Sequence, residues 1–170
     1  MRIVFTLLLV IFFIASIFSQ STIEKALKQF NTKSVPYISI EKLKKDTISV
    51  LLDTRKEEEF NVSRLQNAEW VGHKTFEISN VIKQYPEKDT PIIVYCSIGV
   101  RSEDIGEQLL KAGYTNVKNL YGGIFEWINN ENPVFDSDGN KTEKVHAFSK
   151  HWGKLLTKGD KIYSSKLKRP

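Results

Sequence analysis

Short apolar segments alternate with helical patterns along most of this chain, and this alternation narrows the choice of fold more than any other feature. The clearest segment, Pro91 to Tyr95, is a continuous apolar run that predicts a strand with both faces covered. Further strands are predicted at residues 37–40, 49–53, 68–72 and 116–120. Helices are predicted at residues 41–45, 56–60, 78–84, 101–112 and 124–130. Strands that alternate with helices form βαβ units, so we predict an α/β fold with an open, mostly parallel sheet flanked by helices.

Residues that could take part in a reaction or in ligand binding follow three of the predicted strands. Asp53-Thr54-Arg55 ends one strand, Cys96 follows a second, and Gly122-Gly123 follows a third. In open α/β sheets, sites collect at the carboxyl ends of the strands. We therefore expect these three segments to meet at one edge of the sheet.

Cys96 is the only cysteine of the chain and lies between a predicted strand and a predicted helix. A helix N-terminus and turn amides favour an anion, and the thiolate is the nucleophilic form of cysteine. A buried inert residue and an intermolecular bridge are the alternatives for an unpaired cysteine. The small residues around Cys96 and the adjacent Arg101 favour a reactive thiol.

The N-terminal residues 1–20 have the layout of a signal peptide, and we expect the protein to be exported to the periplasm or secreted. Arg2 precedes an almost wholly apolar run from Ile3 to Phe18, and Ser19 and Ser21 supply small residues near a cleavage site. The run is shorter than the about 20 residues of a spanning helix, so an uncleaved membrane anchor is the weaker alternative.

The remaining chain divides into three parts: a lead-in helix (21–34), a domain (35–134) and a basic C-terminal extension (135–170). Residues 141–170 include nine basic and two acidic residues, whereas residues 21–140 include fifteen basic and eighteen acidic residues. No groove-reading or stacking module accompanies the basic residues, so we expect a solvated surface and no nucleic acid partner. Four apolar residues of the extension are expected to pack back on the domain: Val145, Phe148, Trp152 and Leu155.

Three motifs of this chain closely resemble those of the rhodanese-like family, in that family's order and spacing, between Val35 and Val134. They are Asp53-Thr54-Arg55 with Glu58-Glu59-Phe60; Cys96-x-x-Gly99-x-Arg101-Ser102; and Tyr121-Gly122-Gly123 with Trp127 and Asn132-Pro133-Val134. The chain departs from the family at Ser63-Arg64-Leu65, where Gly-His-Ile is usual. The resemblance implies a rhodanese-like fold with Cys96 as the catalytic residue. It also implies a substrate-binding loop of Ser97, Ile98, Gly99, Val100 and Arg101.

The resemblance implies a thiosulfate sulfurtransferase that works through a Cys96 persulfide. Its expected partners are a small sulfur donor and a thiol or cyanide-like acceptor, with a protein acceptor left open and no metal or organic cofactor needed. Arg101 is expected either to stabilise the thiolate and hold an anionic donor, or to brace the helix against nearby acids. Asp53 and Arg55 are expected to support the site as an ion pair rather than to react. His73 is a further candidate for lining the pocket.

Two alternatives stay open. The first is a binding module that keeps the fold without using the thiol. The second is a phosphatase of the same fold, which is less favoured because phosphatases have a Cys-x5-Arg loop. The loop from Cys96 to Arg101 is one residue shorter, and phosphate needs a wider loop than a single sulfur atom does.

Overall fold

The structure, a computed structural model, describes residues 23–163 of the chain. The sheet strands are β1 (Tyr37–Ile38), β2 (Val50–Asp53), β3 (Glu69–Trp70), β4 (Ile92–Tyr95) and β5 (Val117–Leu120). The helices are α1 (residues 23–30), α2 (Ile40–Leu43), α3 (Glu57–Val62), α4 (Ile78–Gln84), α5 (Val100–Lys111) and α6 (Gly123–Asn129). Four short strands follow, β6 (Val134–Phe135), β7 (Lys141–Thr142), β8 (Lys144–His146) and β9 (Asp160–Ile162), and a 3-10 helix spans Trp152–Leu155.

The first five strands form one sheet in the order β1-β5-β4-β2-β3, and every pair is parallel. The α/β fold and the flanking helices are therefore as predicted. Strand β4 lies at the centre, with Asp53 of β2 opposite Tyr95 and Asn119 of β5 opposite Val94. The carboxyl ends of the three middle strands thus meet at one edge, where Thr54 N–H donates to the Tyr95 carbonyl at 2.9 Å.

The core lies on both faces of the sheet because successive side chains of a strand point to opposite sides. On β4, Ile93 and Tyr95 belong to a core cluster with α1, α2 and α6, whereas Ile92 and Val94 belong to a cluster with α4 and α5. All four side chains are at most 1% exposed. This double coverage explains why the strand reads as a continuous apolar run.

Two edge strands are shorter than predicted. Strand β1 ends at Ile38 because Ser39 begins a helix instead: its Oγ accepts a hydrogen bond from Lys42 N–H at 3.4 Å. Strand β3 ends at Trp70 because Gly72 adopts a φ of +70°, outside the extended region.

The C-terminal extension packs on the domain, as predicted. Strands β6 and β7 form an antiparallel pair, and β8 pairs in parallel with β9. Val145 and Leu155 are buried in the core cluster that also covers one face of β4. Trp152 packs against the same cluster, whereas Phe148 is 38% exposed.

The predicted signal peptide, residues 1–20, and the last seven residues of the extension lie outside the described residues. Between residues 23 and 163, no helix is both long and apolar enough to cross a membrane.

Candidate active site

Cys96 follows β4 directly, and its side chain is almost fully buried at 1% exposure. The backbone N–H of Gly99 donates to its Sγ atom at 3.1 Å. Gly99 adopts a φ of +105°, a conformation that other residues rarely take, and this turn directs its amide back toward the sulfur. The loop thus offers a hydrogen-bond donor to a negatively charged sulfur, just before α5 begins at Val100.

The carbonyl of Gly99 is fixed by two side-chain amides. Asn31, just after α1, and Asn119, in β5, each donate from Nδ2 to this oxygen at 2.8 Å. The orientation of Asn119 is set in turn by Ser102, whose hydroxyl donates to its Oδ1 at 2.8 Å. A hydrogen-bonded carbonyl holds the Gly99 peptide in place, so these contacts also hold the amide of the loop.

The opposite side of the loop rests on the start of α6. The Ile124 and Phe125 amides donate to the carbonyls of Cys96 and Ser97 at 2.9 and 3.0 Å. Gly123 permits this close approach, since a Cβ atom there would lie 2.3 Å from the Cys96 oxygen. The Gly122-Gly123 segment therefore does meet the cysteine loop, as the sequence predicts.

Arg101 points across the loop to Glu59 of α3. Its guanidinium donates to the two carboxylate oxygens at 2.7 and 3.0 Å and to the Ser97 hydroxyl at 2.9 Å. The Ser97 hydroxyl also donates to Glu59 at 3.2 Å. Burial raises the pKa of Glu59, but the hydrogen bonds and charge of Arg101 outweigh it and hold that pKa below its usual value. Glu59 therefore stays ionised, and the positive charge of Arg101 is largely compensated.

Asp53 and Arg55 form a fully buried ion pair behind the loop. Both side chains are 0% exposed, and the guanidinium donates to the carboxylate at 2.6 Å and to the Ser63 carbonyl at 2.6 Å. Trp70 donates from its indole to the Arg55 carbonyl at 2.9 Å. This arrangement agrees with a supporting role, because neither side chain reaches the space in front of Cys96.

A cavity of about 190 Å³ opens in front of the sulfur. Its lining consists of the cysteine loop and three aromatic side chains: Cys96, Ser97, Ile98, Val100, Arg101, Phe30, Phe148 and Trp152. Phe30 and Trp152 meet edge to face with ring centroids 5.6 Å apart. The Arg101 guanidinium lies 4.8 Å from the centre of the Phe148 ring. A second cavity, of about 310 Å³, is lined by Leu43, Asp46, Tyr85 and others and contains no residue of the loop.

Some side chains lie elsewhere than their sequence suggests. His73 does not line the cavity; its Nε2 is hydrogen-bonded to Asp104 at 2.9 Å near the surface. Glu103, one of the acids close to Arg101 in the sequence, accepts hydrogen bonds from the amides of Thr32 and Ser34 at 3.0 and 3.1 Å. Within residues 23–163, no group of three or more His, Cys, Asp or Glu side chains is placed to hold a metal ion.

Six residues of the site were not predicted as such from the sequence: Glu59, Asn31, Asn119, Phe30, Phe148 and Trp152. Glu59 lies among three acids in the first turn of α3, where a favourable interaction with the helix dipole already explains them. The two asparagines follow or end ordinary elements and carry no local signal. Phe30 did offer a sequence signal, since it is a large aromatic residue in a mostly polar predicted helix.

Comparison with known proteins identifies the family of the chain. The family model described as "Rhodanese-like domain" matches residues 39–130. Thiosulfate sulfurtransferase GlpE from Actinobacillus succinogenes is 37% identical over 79 residues, which cover 46% of this chain and 68% of that protein. A tRNA uridine(34) hydroxylase from Protochlamydia amoebophila is 31% identical over 128 residues, covering 72% of this chain and 35% of the relative.

The adenylyltransferase and sulfurtransferase UBA4 from Candida albicans is 34% identical over 58% of this chain, but the match covers only 23% of that protein. The chain therefore spans about a quarter to a third of UBA4 and of the hydroxylase. A solved thiosulfate sulfurtransferase from Pseudomonas aeruginosa superimposes with a TM-score of 0.56 at 22% identity, covering 81% of this chain and 26% of that one. A solved rhodanese-like domain from Anabaena superimposes with a TM-score of 0.53 at 21% identity, covering 59% of this chain and 79% of that one. At these identities the two structures establish the fold alone.

Proposed function

The chain belongs to the rhodanese-like family, and from this membership we propose that it transfers sulfane sulfur through a persulfide on Cys96. The observation that carries the proposal is the hydrogen bond from Gly99 N–H to Sγ, in a loop held from three sides at the floor of a cavity. A donor of this geometry stabilises negative charge on Sγ, both in the attacking thiolate and in the thiolate that leaves when the acceptor takes the sulfur. The relatives named as sulfurtransferases support the same chemistry.

The reaction proceeds in two balanced steps. The Cys96 thiolate attacks the outer sulfur of thiosulfate; a sulfur–sulfur bond forms to Cys96, the original one breaks, and its electron pair leaves with sulfite. A nucleophile such as cyanide or a thiolate then attacks the outer sulfur of the persulfide, and the bond electrons return to Cys96 as thiolate. Ping-pong kinetics follow, since the first product leaves before the acceptor reacts. The acceptor is a small nucleophile or a thiol on another protein.

A phosphatase is less well supported by the position of Arg101. Phosphate binding needs the loop arginine to present its fork to the anion. Here that fork is occupied by Glu59 at 2.7 and 3.0 Å. The short loop and the engaged arginine both favour a single sulfur atom over a phosphate group.

The test is the intact mass of purified protein after thiosulfate and again after cyanide. We expect a gain of one sulfur atom that cyanide removes, and no gain in Cys96→Ser. A folded wild-type protein that gains no sulfur from any sulfane donor would leave the binding module as the better description. Faster hydrolysis of an aryl phosphate than sulfur transfer would support the phosphatase instead.

We also infer export of the protein, on the strength of residues 1–20 alone. Fractionation of cells that produce the full chain, with N-terminal sequencing of the mature protein, tests it. Export predicts a mature N-terminus near Ser19 or Ser21, and a cytoplasmic protein that still begins at Met1 would contradict it.

A further inference from the structure

We infer that the sulfur compound that reacts at Cys96 carries an apolar organic group, bound by an aromatic vestibule formed by Phe30, Phe148 and Trp152. This inference rests on the proposed sulfur transfer and adds the chemical class of its donor. All three side chains line the cavity in front of the sulfur. None of them lies in the segment 39–130 that matches the family model, so the vestibule is built from parts of the chain outside that match.

The vestibule is apolar and partly open. Phe30 is 49% exposed and Phe148 is 38% exposed, so both present ring surface to solvent around the cavity. Large apolar side chains grouped around a concave site are typical of ligand binding rather than of an ordinary surface. Burial of a ligand's apolar group would remove this ring surface from water, which is a favourable change.

The charges around the cavity do not favour a small dianion such as thiosulfate. Arg101 is the cation that lines the cavity in the described part of the chain, and Glu59 accepts two hydrogen bonds from it. Lys56 does not line the cavity; its Nζ lies 5.9 Å from the centre of the Phe148 ring, and its side chain is 62% exposed. Because the charge of Arg101 is compensated by Glu59, the apolar rings contribute more to the affinity for a donor than the charges around the cavity do.

The backbone holds Phe148 in an unusual conformation. Its φ is +61°, in the left-handed region that bulky side chains rarely adopt. The Phe148 amide donates to Nδ1 of the buried His146 at 3.1 Å, which fixes the turn. Residues held in such conformations cluster at ligand-binding sites. The unusual backbone conformation therefore belongs to the residue whose ring lies over Arg101 and lines the cavity.

The size of the cavity suits a single ring. Apolar cavities of about 150 Å³ accept benzene, and the volume here is about 190 Å³. Benzenethiosulfonate is therefore a suitable probe. In the reaction, the Cys96 thiolate attacks its outer sulfur, the bond between the two sulfur atoms breaks, and the electron pair leaves with benzenesulfinate. The donor delivers the same sulfur atom as thiosulfate, so only the attached group differs.

The experiment compares kcat/KM for benzenethiosulfonate and thiosulfate with cyanide as acceptor, in wild type, Phe148→Ala, Phe30→Ala and the control Ile82→Ala. Ile82 is a similarly exposed apolar residue of α4, at 38% exposure and outside the cavity. The two donors differ in intrinsic reactivity. The measured result is therefore the ratio of the two kcat/KM values in each variant, compared with the same ratio in wild type. We expect each alanine in the vestibule to lower the preference for benzenethiosulfonate by about tenfold, the loss of one aromatic contact. Ile82→Ala should leave the ratio as in wild type.

Each outcome decides between the two proposals. If neither donor adds sulfur to Cys96 in the wild type, the proposed function fails. If both donors add sulfur but the vestibule variants change the ratio by less than twofold, the inference fails and sulfur transfer stands. Phe30→Ala removes a half-exposed ring, so it tests the vestibule even if Phe148→Ala does not fold. Phe148→Leu keeps an apolar group and should give an intermediate ratio.

Discussion

Arg101 and Glu59 form a bidentate ion pair that joins the cysteine loop to helix α3, with contacts of 2.7 and 3.0 Å. The Glu59 carboxylate is fully buried and the Arg101 side chain is 18% exposed. A buried carboxylate without its partner is far less stable than the pair, because it has lost its hydration as well. The position of Arg101 therefore depends on Glu59, and the fold depends on both.

We predict that Arg101→Ala lowers the free energy of unfolding at pH 7 by about 3 kcal/mol, because Glu59 is left buried without its cation. The pKa of Glu59 is lowered in the wild-type fold, so its stabilisation is present above the ordinary value of 4.5 and is lost as the pH falls through the folded pKa. The deficit of the variant should thus be largest near neutral pH and shrink in acid. Urea unfolding between pH 7 and pH 4 measures it.

The double variant Glu59→Gln with Arg101→Ala is the matched control, since it removes the buried charge together with its partner. It should recover part of the stability that Arg101→Ala loses. If the deficit of Arg101→Ala is the same at every pH, the ion pair is not its cause.

We predict that Gly123→Ala is much more destabilising than Gly139→Ala. Both glycines have positive φ, +55° and +81°, so the backbone strain of an alanine is similar at the two positions. An added Cβ at Gly123 lies 2.3 Å from the Cys96 carbonyl, whereas nothing lies within 4 Å at Gly139. We expect losses of about 3 kcal/mol or more at Gly123 and about 1 kcal/mol at Gly139. Equal losses by thermal unfolding would mean that α6 can move away from the loop.

The sequence was sufficient to predict the parallel sheet, since helix and strand periodicities are local. It also predicted the meeting of Asp53, Cys96 and Gly123, because parallel strands bring their carboxyl ends to one edge. It was not sufficient to assign Glu59 as the partner of Arg101. That pairing spans 42 positions along the chain and depends on how α3 packs beside the loop. A local pattern carries no information about such a contact.

The C-terminal extension was likewise predictable from the sequence only in part. The apolar residues Phe148 and Trp152 were expected to pack back on the domain. That they would close over Cys96 was not predictable, because the path of the chain after β8 depends on the β8–β9 pairing and on the turn at Phe148. Asn31 was missed for a similar reason: its partner, the Gly99 carbonyl, lies 68 positions away.

We predict that Asn31→Ala slows sulfur loading of Cys96 by about threefold to tenfold, the effect of one lost hydrogen bond on the loop. Its Nδ2 donates to Gly99 O at 2.8 Å, and Asn119 still holds that oxygen in the variant. The global stability should therefore change little. Single-turnover loading followed by mass spectrometry measures the rate. Lys28→Ala, on exposed surface of α1, is the control, and an equal slowing there would contradict a specific role of Asn31.

We predict that stability falls as the pH drops below the ordinary His value of 6.5, and that His146 accounts for part of the fall. Burial lowers the pKa of His146 in the fold. Charged neighbours act on it in both directions: Glu59 and Glu58 raise its pKa, and Arg55 and Lys56 lower it. Because the folded pKa lies below the unfolded one, the unfolded chain binds the proton first, and acid favours unfolding.

The matched variants for this prediction are His146→Gln and His151→Gln, the latter at an exposed position. Thermal unfolding at pH 7.5 and at pH 5.5 should show a smaller acid-induced loss in His146→Gln than in wild type, and an unchanged loss in His151→Gln. A loss that is the same in all three proteins would exclude His146 as a contributor.

The ring contact between Phe30 and Trp152 joins segments near the two ends of the described chain. Contacts this distant in sequence carry a high entropic cost of loop closure and tend to form late in folding. The sheet and the cysteine loop rest largely on nearer neighbours, so the thiol is in place before its entrance is complete. Until this ring contact forms, we expect Cys96 to be more accessible to oxidants than in the folded protein, and a thiolate is the form that oxidises most readily.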